Sequence, residues 1–184
     1  MPEPIAPNLV AIAYPTPALA LAGREAVLRL GADFLDDVGD AVVASVDRHG
    51  VIALDQLANL WSGTAKGTML WRLLSGLLFL YPLLGVLKAE TAAQLASALD
   101  AFGLAERDLS GIRQHLRPGQ AMLFLWLARH GPDELLAGFR PGGPALPVAM
   151  DVAKLPLVHA AFAQAQQEAR QQRETAYSGR YVGH

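Results

Sequence analysis

Two uninterrupted apolar runs mark the central strands of a predicted sheet. Residues 8–14 and 121–127 are apolar at nearly every position and do not alternate with polar residues, which is typical of strands covered on both faces. Residues 40–47 and 51–57 flank the turn Arg48-His49-Gly50, and a glycine-containing turn between such segments predicts an antiparallel hairpin. We expect the strand at 121–127 to pair with the strand at 8–14.

Helix signals fall between the predicted strands. Thr16 and Pro17 supply an N-cap and a first-turn proline for a helix over residues 18–30, and a second short helix precedes the last strand. That strand, residues 145–152, contains Pro147, which cannot donate to a strand ladder. We therefore place it at an edge of the sheet.

The order βαββ, insert, βαβ predicts the α+β fold class. We expect a ferredoxin-like split βαβ core with an added strand, an inserted apolar helical hairpin and a C-terminal helix. We expect residues 1–152 to form the ferredoxin-like domain, with the insert at about residues 63–117, and residues 153–184 to form the C-terminal helix and, from Ala176, either a mobile tail or an arm that orders on a neighbouring subunit. Because residues 166–174 are polar on all sides, we expect that helix to dock only by its first half.

The first arm of the insert is almost continuous hydrocarbon. Within residues 69–87, Arg72 interrupts the run and Pro82 kinks it, so the uncharged stretch before Lys88 is only 15 residues. A helix that crosses a bilayer needs about 20 apolar residues, so this arm is too short to span one comfortably. Residues 91–102 predict a second, alanine-rich helix ended by Gly103, and a polar helix over residues 106–116 follows.

Composition narrows the classes of function. Hydrophobic residues make up 52% of the chain and charged residues 17%, which is apolar for a solitary soluble monomer, so some surface should meet lipid or another subunit. A net charge of -2 without a basic block argues against nucleic acid. The absence of cysteine excludes disulfides and thiol catalysis and fits a reducing compartment. The N-terminus carries no export signal, so we expect a cytoplasmic protein, with the inner face of the membrane as the alternative location.

Several short motifs, spread over residues 8–152, match a known family in order and spacing: 8–14, 40–44 with the turn at Gly50, Gly63 and Gly67, Leu78-Phe79, 82–85, 102–104, 116–119 and 121–125. They resemble a bacterial family, domain-of-unknown-function family 1269, whose members are often labelled as predicted membrane proteins. The resemblance implies a ferredoxin-like core, a glycine-rich hairpin that associates with membrane or with copies of itself, and no established reaction. Lys88, Glu90, Gln94 and Asp100 interrupt the second arm, which is usually apolar in the family, and this favours a hairpin buried in protein or lying at an interface.

Candidate chemistry is sparse. Lys66, Gly67 and Thr68 could contact an anion at a helix start, although a phosphate loop has its lysine after the glycine, and a flexible entry to the hairpin explains the same residues. The acids Asp33, Asp36, Asp37 and Asp40 lack the spacing of a calcium loop, and we interpret them as a solvated connection. The histidines, at positions 49, 115, 130, 159 and 184, include no pair at metal-ligand spacing; His130 could act as a base at a strand end, but a packing role is more usual. We therefore predict no catalytic residue, no metal, no cofactor and no enzymatic activity.

The leading hypothesis is a non-enzymatic protein of unknown cellular role that self-associates through its apolar hairpin and sheet. One alternative is a peripheral or hairpin-anchored membrane protein, in which Arg72 and Lys88 reach the headgroups. Another is a small-ligand-binding regulatory module with a pocket between sheet and insert. The predicted oligomer or membrane contacts lie on the first arm and are Trp71, Leu74, Leu77, Leu78, Phe79, Tyr81 and Leu84.

Overall fold

The computed structural model describes residues 7–29, 38–55, 65–80, 87–127 and 142–181. Within them the chain is a mixed α+β structure with one five-stranded antiparallel sheet in the order β3-β2-β4-β1-β5. The strands are β1 (Leu9–Tyr14), β2 (Val38–Val46), β3 (Ile52–Asp55), β4 (Ala121–Leu127) and β5 (Ala145–Val148). The helices are α1 (Pro17–Leu28), α2 (Ala65–Leu80), α3 (Ala89–Phe102), α4 (Glu106–Gln114) and α5 (Leu155–Tyr181).

Strands β1 and β4 form the centre of the sheet, as their apolar sequences predict. They pair antiparallel from Leu9 opposite Trp126 to Tyr14 opposite Ala121, and every residue of both strands is buried. Strand β2 is also antiparallel to β4, so β1 and β2 run parallel to each other with β4 between them. Strand β5, which contains Pro147, lies at the predicted edge beside β1.

The predicted hairpin joins β2 to β3. Gly50 has a φ of 80°, a left-handed conformation that glycine adopts without steric cost. The side chain of Asp47 accepts hydrogen bonds from the backbone N–H groups of His49 at 2.8 Å and Val51 at 2.9 Å, which fixes the turn. The hairpin places β3 at the second edge of the sheet.

Both faces of the central strands are covered by helices. Leu9, Ala11 and Ala13 face a core that includes side chains of α2, α3, α4 and α5. Val10 and Ile12 face a second core that α1 covers, and α1 begins at the predicted N-cap, where Thr16 accepts from the Leu19 N–H at 3.3 Å. These two cores explain why β1 is apolar at every position and does not alternate.

Helix α3 lies antiparallel to the first part of α5. The Asp151 N–H, just before α5, donates to the Phe102 carbonyl at 2.7 Å. At the other end the Glu168 carboxylate accepts from the Lys88 N–H at 2.8 Å. Lys88 is the N-cap of α3 and offers no side-chain cap, so a residue of α5 caps this helix. Hydrogen bonds from the Thr91 hydroxyl and the Lys88 backbone lower the pKa of Glu168.

Helix α5 also packs on α2, so the two predicted arms of the insert share a neighbour. Beside Gly76 of α2 lies the ring of Phe162, and a Cβ at Gly76 would be 2.6 Å from that ring. Burial continues along α5 to Ala169, beyond the first-half docking that its polar composition predicts. The segment from Ala176, predicted to be mobile, is helical as far as Tyr181.

Candidate interaction surface

Four of the predicted contact residues of α2 lie inside the chain's own core. Trp71, Leu74, Leu77 and Leu78 are at most 2% exposed. The side chain of Phe79 and residues Tyr81 and Leu84 lie outside the described part of the structure. The backbone of Lys66, Gly67 and Thr68 belongs to the first turn of α2, but the side chains of Lys66 and Thr68 also lie outside the described part. A second copy or lipid could reach these four side chains only if α2 left the core, so the part of the apolar surface that they contribute is already covered.

The interpretation of the acidic stretch as a solvated connection is wrong for Asp40. Its carboxylate is fully buried on β2 and accepts hydrogen bonds from the Trp71 Nε1 at 2.7 Å and from the Ala41 N–H at 2.8 Å. Burial of a charge is costly unless its oxygens are satisfied, and here each oxygen has a donor. The hydrogen bond between Asp40 and Trp71 links α2 to the sheet. Because both residues are fully buried, a ligand cannot reach them. Asp33, Asp36 and Asp37 lie outside the described residues.

Arg24 and Tyr14 are two further polar side chains that are buried in the fold. Arg24 of α1 donates to the Asp55 carboxylate at 3.0 Å and to its carbonyl at 2.9 Å, which links α1 to the end of β3. The buried Tyr14 hydroxyl makes no hydrogen bond of ordinary geometry within the described residues. Burial raises the pKa of Tyr14, and the Gly142 backbone offsets this only in part.

The three histidines of the described residues lie on separate elements. His49 is exposed in the hairpin turn, His115 ends α4 and His159 is exposed on α5, whereas His130 and His184 lie outside the described residues. No group of three His, Asp or Glu side chains in the described ranges is placed to hold a metal ion.

The adjoining exposed faces of α3 and α5, which we call the α3/α5 face, carry no charge over long stretches. Residues 91–99 and 155–167 contain no Asp, Glu, Lys or Arg. Because the two helices lie side by side and bury their other faces in one core, these exposed side chains form one surface. Leu157, at 60%, is among the most exposed large hydrophobic residues of the described chain. The exposed side chains are Ala93, Gln94, Ala96, Ser97, Pro156, Leu157, His159, Ala160, Ala163, Gln164 and Gln167.

A groove of about 980 Å³ separates α3 from α4. Apolar side chains, several of them alanine, line most of it, and Asp100, Glu106 and Arg107 are charged members of its lining.

Comparison with known proteins places the chain in a family. The model of the family described as "Protein of unknown function (DUF1269)" matches residues 65–164, which is more than half of the 184 residues. The chain belongs to this family. The DUF1269 match runs from the first residue of α2 into α5 and leaves β1, α1, β2 and β3 outside, so the resembling motifs before Ala65 lie beyond it. No curated protein and no solved structure matches the chain.

In the part of this DUF1269 protein that the structure describes, no helix is long and apolar enough to cross a membrane. Two features were not predicted from the sequence: the buried contact between Asp40 and Trp71 and the α3/α5 face. For the contact between Asp40 and Trp71 the sequence holds only a weak signal, an acidic residue at the start of an apolar strand. The second had a clear one, because the two charge-free stretches are visible in the sequence.

Proposed function

We propose that this DUF1269 protein is non-enzymatic and assembles with copies of itself through the α3/α5 face. The observation that carries the proposal is the absence of charge from residues 91–99 and 155–167, although many of their side chains are exposed. The exposed side of a surface helix normally carries charged residues, whereas the centre of a protein interface is depleted of them. The face therefore shares with the centre of an interface its lack of charged side chains, although its side chains are mostly small.

The burial of four apolar side chains of α2 supports a second copy over lipid as the partner. The lipid hypothesis depended on the apolar side chains of that helix, and Trp71, Leu74, Leu77 and Leu78 are occupied by the core. The α3/α5 face consists largely of alanine and glutamine, with no exposed Lys or Arg within the charge-free stretches. A helix that lies on a membrane typically carries such cations beside a strongly apolar face.

The sheet supports a finer description of the fold. We infer a ferredoxin-like core made of β1, β2, β4 and β5, in which β1, α1 and β2 form a split βαβ unit around β4. Strand β3 is then the added edge strand. The connection from β4 to β5 lies outside the described residues.

The test is detergent-free size-exclusion chromatography with light scattering at tens of micromolar protein. The wild-type protein should have a mass of at least twice the 19.6 kDa of one chain. Ala160→Glu places a charge on the exposed centre of the α3/α5 face and should shift the mass to that of the monomer. Ala18→Glu makes the same exchange at an exposed position of α1 and should leave the mass unchanged. A monomeric wild-type protein, or equal dissociation of both variants, would refute the proposal.

A further inference from the structure

The α3/α5 face alone is small for a stable dimer. The 13 residues from 155 to 167 span about 20 Å of helix, and two neighbouring helices are about 20 Å wide because their axes lie 8–10 Å apart. The projected area is on the order of 400 Å², whereas a standard interface buries roughly 800 Å² per partner. The groove between α3 and α4 borders this face and shares Ala96 and Ser97 with it, so a contact that extends over the groove would enlarge the interface.

We infer that Leu157 of a second copy packs into the groove between α3 and α4, and that the contact is reciprocal across a twofold axis parallel to α3. The inference rests on the proposed self-association and names the side chain that enters the groove. Leu157 is 60% exposed, and covering apolar surface that is in contact with water favours association. The groove offers an apolar counter-surface, because its lining includes Leu95, Leu99 and Leu109.

Helix α3 lies between α5 and the groove. It packs against both α5 and α4, and different sides of it face the two helices. Thr91 forms a hydrogen bond with Glu168 of α5. Ala92, Ala96 and Asp100, spaced four residues apart, line the groove on the side towards α4. A second copy that covers α3 therefore has α5 on one side of it and the groove on the other.

Leu157 lies on the side of α5 that adjoins α3. It precedes Glu168 by 11 residues, about three helical turns, so the two side chains share one face of the helix. The Glu168 carboxylate accepts a hydrogen bond from the Lys88 N–H at the start of α3, which shows that this face adjoins α3. The exposed Leu157 side chain therefore lies beside α3 on the outer surface of the molecule.

Leu157 is also level with the groove along the direction of the helices. Helix α5 runs antiparallel to α3, and the Asp151 N–H before it donates to the Phe102 carbonyl at the end of α3. Leu157 follows Asp151 by six residues, and Ser97 precedes Phe102 by five. Leu157 is therefore level with Ser97, which lines the groove.

A twofold axis that runs along the outer surface of α3 brings each Leu157 over the groove of the other copy. Rotation about this axis exchanges the α5 side of α3 with the α4 side and leaves the position along α3 unchanged. Leu157 of the second copy then lies over the groove, within the span from Ala92 to Asp100 that lines it. The same rotation seats Leu157 of the first copy in the groove of the second.

Charges at one end of the groove match the charge beside Leu157. Asp100 lines the groove at the end nearest the start of α5 and is exposed, and Lys154, three residues before Leu157, is also exposed. Neither Asp100 nor Lys154 forms an ion pair within the described residues, whereas Arg107 of the lining lies 3.9 Å from Asp108. The rotation brings Lys154 of one copy to the Asp100 end of the other's groove, and opposite charges at the rim of an interface fix its register.

Introduced thiols can locate the contact, because the chain contains no cysteine. Leu157→Cys and Ala96→Cys are made as two separate full-length variants and mixed in a glutathione redox buffer, at a concentration at which the wild type is dimeric. A disulfide should join a chain of one variant to a chain of the other, since a disulfide forms only between residues whose Cα atoms lie within about 7 Å. A mixture of Leu157→Cys with Ala18→Cys, an exposed position of α1, should form none. Mass spectrometry without reductant identifies the joined chains.

The affinity of self-association measures the contribution of Leu157. Leu157→Ser should weaken dimerisation at least tenfold in sedimentation velocity, because it removes the apolar side chain from the groove. Leu19→Ser is the matched control, since Leu19 is 49% exposed on α1 and lies away from the contact. It should dimerise as the wild type does, and equal affinities of all three proteins would overturn the packing of Leu157 in the groove.

Failure of the groove contact and failure of self-association give different results. A disulfide in the mixture of Leu157→Cys with Ala96→Cys, and none with Ala18→Cys, supports the groove contact. A dimeric wild type whose variants form no such disulfide overturns the groove contact, while self-association through the α3/α5 face stands. A monomeric wild type overturns both proposals.

Discussion

The carboxylate of Asp40 lies at the contact between strand β2 and helix α2. It is fully buried, and both of its oxygens accept hydrogen bonds, one from the Trp71 indole and one from the Ala41 backbone. The Trp71 ring also lies 6.2 Å from the ring of Phe124 on β4. A single polar contact thus fixes how α2 sits on the sheet, since sliding the helix would leave the carboxylate without its donor.

We predict a strong coupling between Asp40 and Trp71. Trp71→Phe should lower the free energy of unfolding by about 1–3 kcal/mol, because it removes one of the two hydrogen bonds to the buried Asp40 side chain. Asp40→Asn should lower it by about 1–3 kcal/mol, because the amide can still accept one of the two hydrogen bonds. Urea unfolding of both single variants and the double variant measures the coupling, which should exceed about 1 kcal/mol. Additivity within about 0.5 kcal/mol would show that the two side chains act independently.

At the scale of elements, local signals in the sequence predicted the strands well. The apolar runs identified β1 and β4, the turn glycine identified the hairpin, and Pro147 placed β5 at an edge. Gly103 ends α3 with a φ of 103°, and a Cβ there would collide with the Ala149 carbonyl, so glycine is required. The strand, turn and edge signals depend on residues close together in the chain, whereas the contact between Gly103 and Ala149 joins residues that are distant in sequence.

The packing of α2 could not be predicted in the same way. The sequence shows that its residues are apolar, but not which surface covers them. That surface comes from β4 and from α5, including Phe162, which are distant in sequence. Asp40 is a parallel case, since its partner Trp71 is 31 residues away. Non-local contacts therefore decide whether an apolar helix is core or interface.

The contact of α2 with α5 predicts opposite effects for two glycine substitutions. Gly111→Ala in α4 should raise the free energy of unfolding by about 0.5–1 kcal/mol, because alanine favours helix and its Cβ would meet nothing closer than 3.8 Å. Gly76→Ala gains the same helix preference, but its Cβ would lie 2.6 Å from the buried Phe162 ring. Overpacking typically costs about 1–3 kcal/mol, so Gly76→Ala should be destabilising by about 1 kcal/mol. Chemical denaturation compares the pair, and stabilisation by both substitutions would mean that α5 does not pack tightly on α2.

At the scale of the whole molecule, many apolar side chains of the described residues pack into two cores, and the chain has little net charge. Net charge does not oppose contact between copies, because -2 at pH 7 gives little long-range repulsion. If copies associate, their assembly should therefore depend on a local feature, the uncharged α3/α5 face.

If copies associate, folding and association are linked. A partner that binds the folded state stabilises it by mass action, so Tm should rise with protein concentration. For a chain of this length we expect a rise of about 2 °C for each tenfold increase in concentration. Differential scanning calorimetry over a hundredfold range should show this rise for wild type and Ala18→Glu, whereas the Tm of Ala160→Glu should not change with concentration. An equally flat Tm in wild type would mean that the folded chain gains nothing from a second copy, and that the neutral α3/α5 face is solvated after all.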